Sequence, residues 1–205
     1  MQNESTKEER TNKTPVWKRL FFSPALEGKN KSHIIAYIAV MTALCVASNL
    51  FEFKLADTQF SLTLCVSLLT GIVLGSACGF VACFLGDLVG FFVNSAGFAY
   101  MPWIGLSMGL AAFLAGVLVN GVQLPFKGAL YVKLSLVCAM SFAICTVGIN
   151  TTAFWLLYSK VSYGTYLFTR LFVLGQIWNS MANYALLFIF VPVLANVKPL
   201  RLKIR

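Results

Sequence analysis

The sequence predicts an all-α integral membrane protein, with six transmembrane helices in one bundle and both termini in the cytoplasm. The first reason is composition: 59% of the 205 residues are hydrophobic, 11% are charged and the mean hydropathy is +0.79. A soluble domain normally carries about a quarter charged residues. The second reason is length, because the chain past residue 32 has room for about six apolar runs of roughly 20 residues each. The third is the placement of basic residues at the two ends.

The apolar runs divide the chain into a membrane domain and two basic tails. We predict a tail over residues 1–32, a transmembrane domain over 33–195 and a second tail over 196–205. Because two of the runs exceed one bilayer thickness, we expect tilted helices or helical ends outside the bilayer there. The predicted helices cover residues 33–52, 60–76, 78–93, 102–120, 129–157 and 168–195.

The distribution of charge predicts the topology. With the N-terminus inside, thirteen of the sixteen basic residues fall on the inner side, and only Lys54, Lys160 and Arg170 fall on the outer side. Basic residues favour the cytoplasmic side of membrane proteins. Their position beside apolar runs indicates lipid headgroups as the partner and not nucleic acid. The six cysteines lie inside apolar runs without metal-ligand spacing, so we expect reduced buried thiols and no metal site.

Asp87 is the only carboxylate away from the ends of a predicted helix, where Gly86 and Gly90 flank it. A charged acid about 12 Å along that helix costs several kcal/mol unless it faces a cavity or a partner. Two interpretations stay open: Asp87 binds a ligand, or it pins its helix to a neighbouring helix. Tyr100 and Trp103 follow in and after a glycine-containing link, where their rings could stack on a flat ligand.

The last predicted helix carries three carboxamides on one face. Gln176, Asn179 and Asn183 lie at positions i, i+3 and i+7. Amides both donate and accept hydrogen bonds, which suits a heterocyclic ligand. Hydrogen bonding between helices is the alternative, but three amides exceed what packing needs, and we favour a polar cavity. Arg170, with Lys54, makes the outer end basic, which suits either an anionic ligand or lipid headgroups.

Ala39, Ala43 and Ala47 recur at intervals of four in the first predicted helix. Steps of about 400° keep them within one narrow stripe, and small residues there allow another helix to approach closely. That helix belongs either to this bundle or to another subunit.

Several chemistries lack their motifs. The sequence contains no GxxxxGK[ST] nucleotide-binding pattern, no HExxH pattern and no helix with paired carboxylates. We therefore predict no catalytic residues and no cofactor. A small structural or assembly membrane protein without a ligand is the main alternative, and a membrane-embedded enzyme is the weaker one.

The six predicted helices, the alanine stripe, the turn "GSACGF" and the run "CFLGDLVGFFVNSAGFAYMPW" resemble the S components of energy-coupling factor (ECF) vitamin transporters, of the riboflavin/folate-type group. The resemblance implies a subunit of a bacterial-type cell membrane that captures a vitamin from outside. Import would then be driven by a transmembrane coupling protein and two cytoplasmic ATPases. It also implies that the alanine stripe contacts the coupling protein and that the first outer link, "FEFKLADTQF", closes the pocket. Ser76 departs from the family's Gly-Pro-x-x-Gly turn.

On this basis the predicted roles are as follows. Asp87, Gln176, Asn179 and Asn183 bind the polar edges of a flat-ring vitamin such as folate or riboflavin. Tyr100 and Trp103 stack on the ring, and Arg170 or Lys54 meets an acidic group.

Overall fold

The computed structural model describes residues 21–23, 26, 29–55, 58–93, 99–122 and 128–196, with the backbone alone for residues 52–60. Helix α1 opens this part of the chain, a two-stranded hairpin follows it, and further helices complete the bundle. The elements are α1 (Lys31–Leu50), β1 (Glu52–Leu55), β2 (Thr58–Ser61), α2 (Thr63–Leu74), α3 (Ser76–Val93), α4 (Pro102–Gly121), α5 (Ala129–Tyr158), α6 (Tyr163–Phe168, continued by a π-helical turn Thr169–Val173) and α7 (Gln176–Ala195).

Five of these helices, α1, α3, α4, α5 and α7, are long and apolar enough to cross a membrane. Helix α2 is apolar but has only 12 residues, and 11 of them are buried. At 1.5 Å per residue it is about 18 Å long, shorter than a bilayer core. The helical bundle of a membrane protein is confirmed. Six spans and cytoplasmic termini stay predictions.

The structure corrects the all-α prediction between the first two helices. Residues 52–61 belong to an antiparallel hairpin, in which Glu52 pairs with Ser61 and Leu55 with Thr58. The helix predicted to begin at residue 60 therefore begins at Thr63. The strand pair satisfies part of the backbone hydrogen bonding of this link within the link itself.

The last predicted helix, over residues 168–195, is also wrong as a continuous element. The π-helical turn ends at Val173, and α7 begins at Gln176. Gly175 between them has a φ of 69°, in the left-handed region where glycine lacks the steric cost of other residues. The link between the predicted helices 129–157 and 168–195 is correspondingly helical in part, because Tyr163–Phe168 forms α6.

Glycines allow the central helices to touch through their backbones. A Cβ on Gly71 of α2 would collide with the backbone of Ala112 on α4, and one on Gly116 would collide with the backbone of Ser76. Close backbone approach substitutes for the hydrophobic driving force that lipid does not provide. The apolar core around this contact includes Leu68, Ile72, Leu134, Val137 and Leu187.

The end of α4 is held by two polar side chains, one from α5 and one of its own. Lys133 of α5 is 3% exposed, and its Nζ donates to the Val119 carbonyl over 3.3 Å. Asn120 donates from Nδ2 to the Ile72 carbonyl over 3.0 Å. A cation near the carbonyl end of a helix is electrostatically favourable, so Lys133 acts as a cap.

Most of the two predicted tails, residues 1–20 and 197–205, lies outside the described residues. The part that is described contacts the bundle: the Ser23 N–H donates to the Leu74 carbonyl over 3.3 Å, and Leu26 is 4% exposed. Leu26 belongs to an apolar cluster with Val73 and Leu74. The division of the chain at residue 32 stays a prediction.

Candidate ligand-binding site

Two helix faces meet at the residues Trp103, Ser107, Asn150 and Phe154. Trp103 and Ser107 are four residues apart on α4, and Asn150 and Phe154 are four apart on α5, so each pair lies along one face. The rings of Trp103 and Phe154 meet edge to face with centroids 6.1 Å apart. One turn along, Asn150 donates from Nδ2 to the Ser107 hydroxyl over 3.0 Å. The two contacts fix the relative rotation of α4 and α5.

Arg170 joins this group from the π-helical turn of α6. Its Cζ lies 4.4 Å from the centre of the Phe154 ring, a cation–π contact. Arg170 is half-buried, and its side chain points at an aromatic ring of the bundle. The structure thus brings together two residues predicted from sequence, Trp103 and Arg170, through Phe154, which the sequence analysis missed.

Four buried side-chain polar atoms have no hydrogen-bond partner among the described residues. They are Trp103 Nε1, Asn150 Oδ1, Arg170 Nε and Ser180 Oγ. Leaving such an atom unpaired costs about 1–3 kcal/mol, and nearly all buried polar atoms in native proteins are paired. Three of the four belong to residues in contact with Phe154 or Ser107. Two N–H donors and one carbonyl acceptor therefore lie unpaired around Phe154 and Ser107, and the fourth atom is the hydroxyl of Ser180 on α7.

The predicted amide face of α7 is engaged with the end of the hairpin. Asn183 is fully buried, and its Nδ2 donates to the Ser61 carbonyl over 2.7 Å. Its Oδ1 accepts the N–H of Cys65 over 2.9 Å. Asn179 Oδ1 accepts the Ser61 N–H over 3.2 Å and also a hydrogen bond from Asn183 Nδ2 over 3.0 Å.

These contacts provide hydrogen-bond acceptors for backbone N–H groups at the beginning of α2. The first N–H groups of a helix have no partner within the helix, and Leu62 provides no side-chain cap. Asn183 supplies one acceptor across the bundle, and the Ser61 hydroxyl supplies another to the Thr63 N–H over 3.2 Å. That Asn179 and Asn183 bind a ligand stays a prediction.

Gln176 and Lys54 lie near the same elements. Gln176 is the first residue of α7 and is half-buried. Lys54 lies in β1 opposite Gln59, in the part of the chain described by its backbone alone. Their roles toward a ligand stay predictions.

Asp87 and Tyr100 contact each other. The Tyr100 hydroxyl donates to Asp87 Oδ2 over 3.2 Å, and the Tyr100 ring lies 5.2 Å from that of Phe91. Tyr100 precedes α4, and burial, followed by the charge of Asp87, raises its pKa to about 12. The phenol therefore keeps its proton at neutral pH and remains a donor. Direct ligand contact by either residue stays a prediction.

The alanine stripe lies mainly on the outside of α1. Ala39 and Ala43 are exposed and Ala47 is half-buried, whereas the buried residues of α1 are Cys45 and Ser48. The close packing of α1 against α3 uses Cys45, which meets Gly86. The stripe is therefore available to another surface.

Sequence analysis missed Ser107, Asn150 and Phe154. A signal existed for Asn150, a carboxamide inside the apolar run over residues 129–157. Such residues are costly in lipid and usually face the interior of a bundle. Its segment, Phe142–Thr151, is π-helical, a geometry frequent at functional sites.

Comparison with known proteins agrees with this fold. The family model "ECF-type riboflavin transporter, S component" matches residues 29–199. The crystal structure of FolT bound with folic acid superposes with a TM-score of 0.63 at 17% identity, covering 80% of this chain and 95% of that one. At this identity the likeness shows the fold alone. No curated protein matches the sequence. The family match covers most of the chain, and the chain therefore belongs to the ECF-type riboflavin transporter S component family, whose members are transporter subunits and not enzymes.

Proposed function

We propose that this S component captures riboflavin at the outer side of a bacterial-type cell membrane, for ATP-driven import by partner subunits. The observation that carries the proposal is the set of unpaired polar atoms around Phe154. The pyrimidine edge of riboflavin carries two carbonyl acceptors on either side of an N–H donor. The site offers the complementary set, with N–H donors on Trp103 and Arg170 and a carbonyl acceptor on Asn150.

The apolar part of the site suits the remainder of a flat tricyclic ring. Trp103 and Phe154 already meet edge to face, which leaves aromatic surface for a third ring to pack against. Ser180 of α7 adds a buried hydroxyl that fits a ribityl hydroxyl. One ligand of this size would then contact α4, α5, α6 and α7 together.

The hairpin and the amides of α7 complete the proposed pocket. Asn179 and Gln176 are half-buried, so each has surface left for a ligand, whereas the fully buried Asn183 fixes the hairpin end. We propose that the hairpin is the lid. Lys54 in β1 would then lie on the lid itself.

Folate is the second candidate, and Arg170 is the observation that favours it. Arg170 is a half-buried guanidinium with a buried, unpaired Nε, and a carboxylate is a strong partner for such a group. Riboflavin is uncharged, so the charged Arg170 would donate only to a neutral acceptor. The similar fold of FolT bound with folic acid is compatible with either vitamin.

We propose that a transmembrane coupling protein and two cytoplasmic ATPases are the partner subunits. The exposed Ala39 and Ala43, with Ala47, provide a narrow face on α1 for the coupling protein. The predicted excess of basic residues on the cytoplasmic side supports an orientation of the subunit with both termini in the cytoplasm.

Fluorescence titration of the purified chain with riboflavin tests the ligand. We expect the flavin fluorescence to be quenched with a stoichiometry of one riboflavin per chain. Riboflavin methylated at the pyrimidine N–H should bind at least tenfold more weakly. Phe154→Ala should also weaken binding at least tenfold, whereas Phe172→Ala, at a ring that is 54% exposed on α6, should not. Absence of riboflavin binding with tight folate binding would establish the second candidate. Absence of both would refute the proposal.

A further inference from the structure

Tyr100 packs against α3 at two residues one helical turn apart, Asp87 and Phe91, which together we call the seat. The Tyr100 hydroxyl donates a hydrogen bond to Asp87 Oδ2 over 3.2 Å, and the centroids of the Phe91 and Tyr100 rings are 5.2 Å apart. The seat therefore holds both the polar tip and the flat face of Tyr100. It fixes the backbone just before α4, which begins at Pro102.

Gly105 closes the seat from α4. A Cβ on Gly105 would lie 2.8 Å from Asp87 Oδ2 and 2.8 Å from the Tyr100 hydroxyl, closer than a Cβ normally approaches another atom. The Asp87–Tyr100 pair thus fills a notch that exists because residue 105 has no side chain. Any shift of α4 along or around its axis would separate the pair from this notch.

The notch and the candidate ligand site lie on opposite faces of α4. Trp103 and Ser107 are each two residues from Gly105, which is about 200° around a helix. Gly109, four residues beyond Gly105, faces Phe80 of α3. One face of α4 is therefore turned to α3, and the other carries Trp103 toward Phe154 of α5.

The beginning of α4 needs such support. Met101, the residue before the helix, makes no side-chain cap hydrogen bond. The Ile104 N–H bonds only locally, to the Met101 carbonyl over 3.0 Å. A first turn without a cap frays readily, and Trp103 lies within that turn.

We propose that Asp87 and Tyr100 are a positioning pair, which holds the first turn of α4 and thereby places Trp103 in the ligand site without contacting the ligand. The pair acts from the far side of the helix. Its contribution to binding is the pre-organisation of Trp103, since a side chain fixed before binding loses less entropy on binding. The experiment that measures riboflavin affinity rests on the proposed function, but the experiment that measures the placement of Trp103 does not.

The first experiment needs no ligand. The chain is labelled with 5-fluorotryptophan, and the Trp103 fluorine resonance is assigned by Trp103→Phe. Asp87→Leu, Tyr100→Phe and Gly105→Ala should each shift or broaden that resonance. Asp87→Asn, which keeps an oxygen acceptor, should restore most of the wild-type signal. Gly164→Ala is the control, because a Cβ there meets nothing within 4 Å.

The second experiment measures riboflavin affinity of the same variants. Asp87→Leu and Tyr100→Phe should each weaken binding about tenfold, and the double variant should be no weaker than either single one, because both remove the same support. Asp87→Asn should recover most of the affinity. Losses that multiply in the double variant, or an unchanged Trp103 resonance, would overturn the positioning role. If the wild-type chain binds no riboflavin, the proposed function fails, and the fluorine spectra still decide the positioning role.

Discussion

The carboxamide of Asn183 binds the backbone of Ser61 across 122 residues of sequence, with Nδ2 donating to the carbonyl over 2.7 Å. Its Oδ1 accepts the N–H of Cys65 in the first turn of α2. One side chain of α7 therefore secures both the end of the hairpin and the beginning of a buried helix.

Replacing Asn183 should destabilise the bundle. Asn183→Leu leaves the Cys65 N–H and the Ser61 carbonyl without this partner, at a cost of about 1–3 kcal/mol for each unpaired buried group. We expect a clear fall in the melting temperature of the purified protein. Asn196→Leu, at an exposed asparagine just past α7, is the matched control. Equal melting temperatures for the two variants would contradict the structural role of Asn183.

The backbone contact between α2 and α4 should tolerate no side chain at Gly71. Because a Cβ there collides with the Ala112 backbone, Gly71→Ala must force the two helices apart. We expect little folded, monodisperse protein on size-exclusion chromatography. Gly164→Ala should behave as wild type, since residue 164 faces open space. A well-folded Gly71→Ala variant would show that these helices are not in backbone contact.

Helices α1 and α3 should be linked by oxidation of two buried thiols. Cys45 Sγ lies 3.6 Å from Cys83 Sγ, although the residues are 38 apart in sequence. A mild oxidant such as copper phenanthroline with dioxygen would remove two electrons and two protons and form an intramolecular disulfide. Peptide mass spectrometry should identify the Cys45–Cys83 pair. Cys83→Ser should abolish the link and Cys78→Ser should preserve it. Exclusive pairing with any other cysteine would contradict the packing.

The exposed alanine stripe should be needed for transport and not for binding. Ala43→Trp places a bulky ring on the exposed outside of α1, away from Phe154 and the side chains that contact it. We expect unchanged riboflavin affinity in the purified chain and a large loss of riboflavin uptake by cells that carry the coupling protein and ATPases. Leu44→Trp, at an exposed position of α1 about 100° around the helix from Ala43, is the control. Uptake at the wild-type level by Ala43→Trp would refute the proposal that the stripe docks onto the coupling protein.

Sequence patterns predicted the residue types of the site better than their contacts. Trp103 was identifiable because it follows a glycine-containing link, and Arg170 because charged residues are few in so apolar a chain. Asn179 and Asn183 were correctly placed on one face of a helix. Their partner, the backbone of Ser61, is a backbone group in a distant segment, and periodicity along one helix carries no information about it.

The two errors in the fold have different causes, one tertiary and one local. The hairpin over residues 52–61 replaces one end of a predicted helix, because the tertiary bonds to Ser61 outweigh the apolar run that follows it. The break before α7 depends on Gly175, a residue that tolerates a positive φ but does not require it. An isolated glycine in an apolar run therefore gave too weak a signal to end the helix.

Native mass spectrometry of the chain purified from riboflavin-fed cells tests the central claim most directly. The account predicts one retained riboflavin per wild-type chain and none on Asn150→Leu, which removes the one buried side-chain carbonyl that lacks a hydrogen-bond partner among the described residues. Thr165→Ala, at an exposed residue of α6, should retain the vitamin. A wild-type chain without bound riboflavin, or an Asn150→Leu chain that retains it equally, would contradict the account.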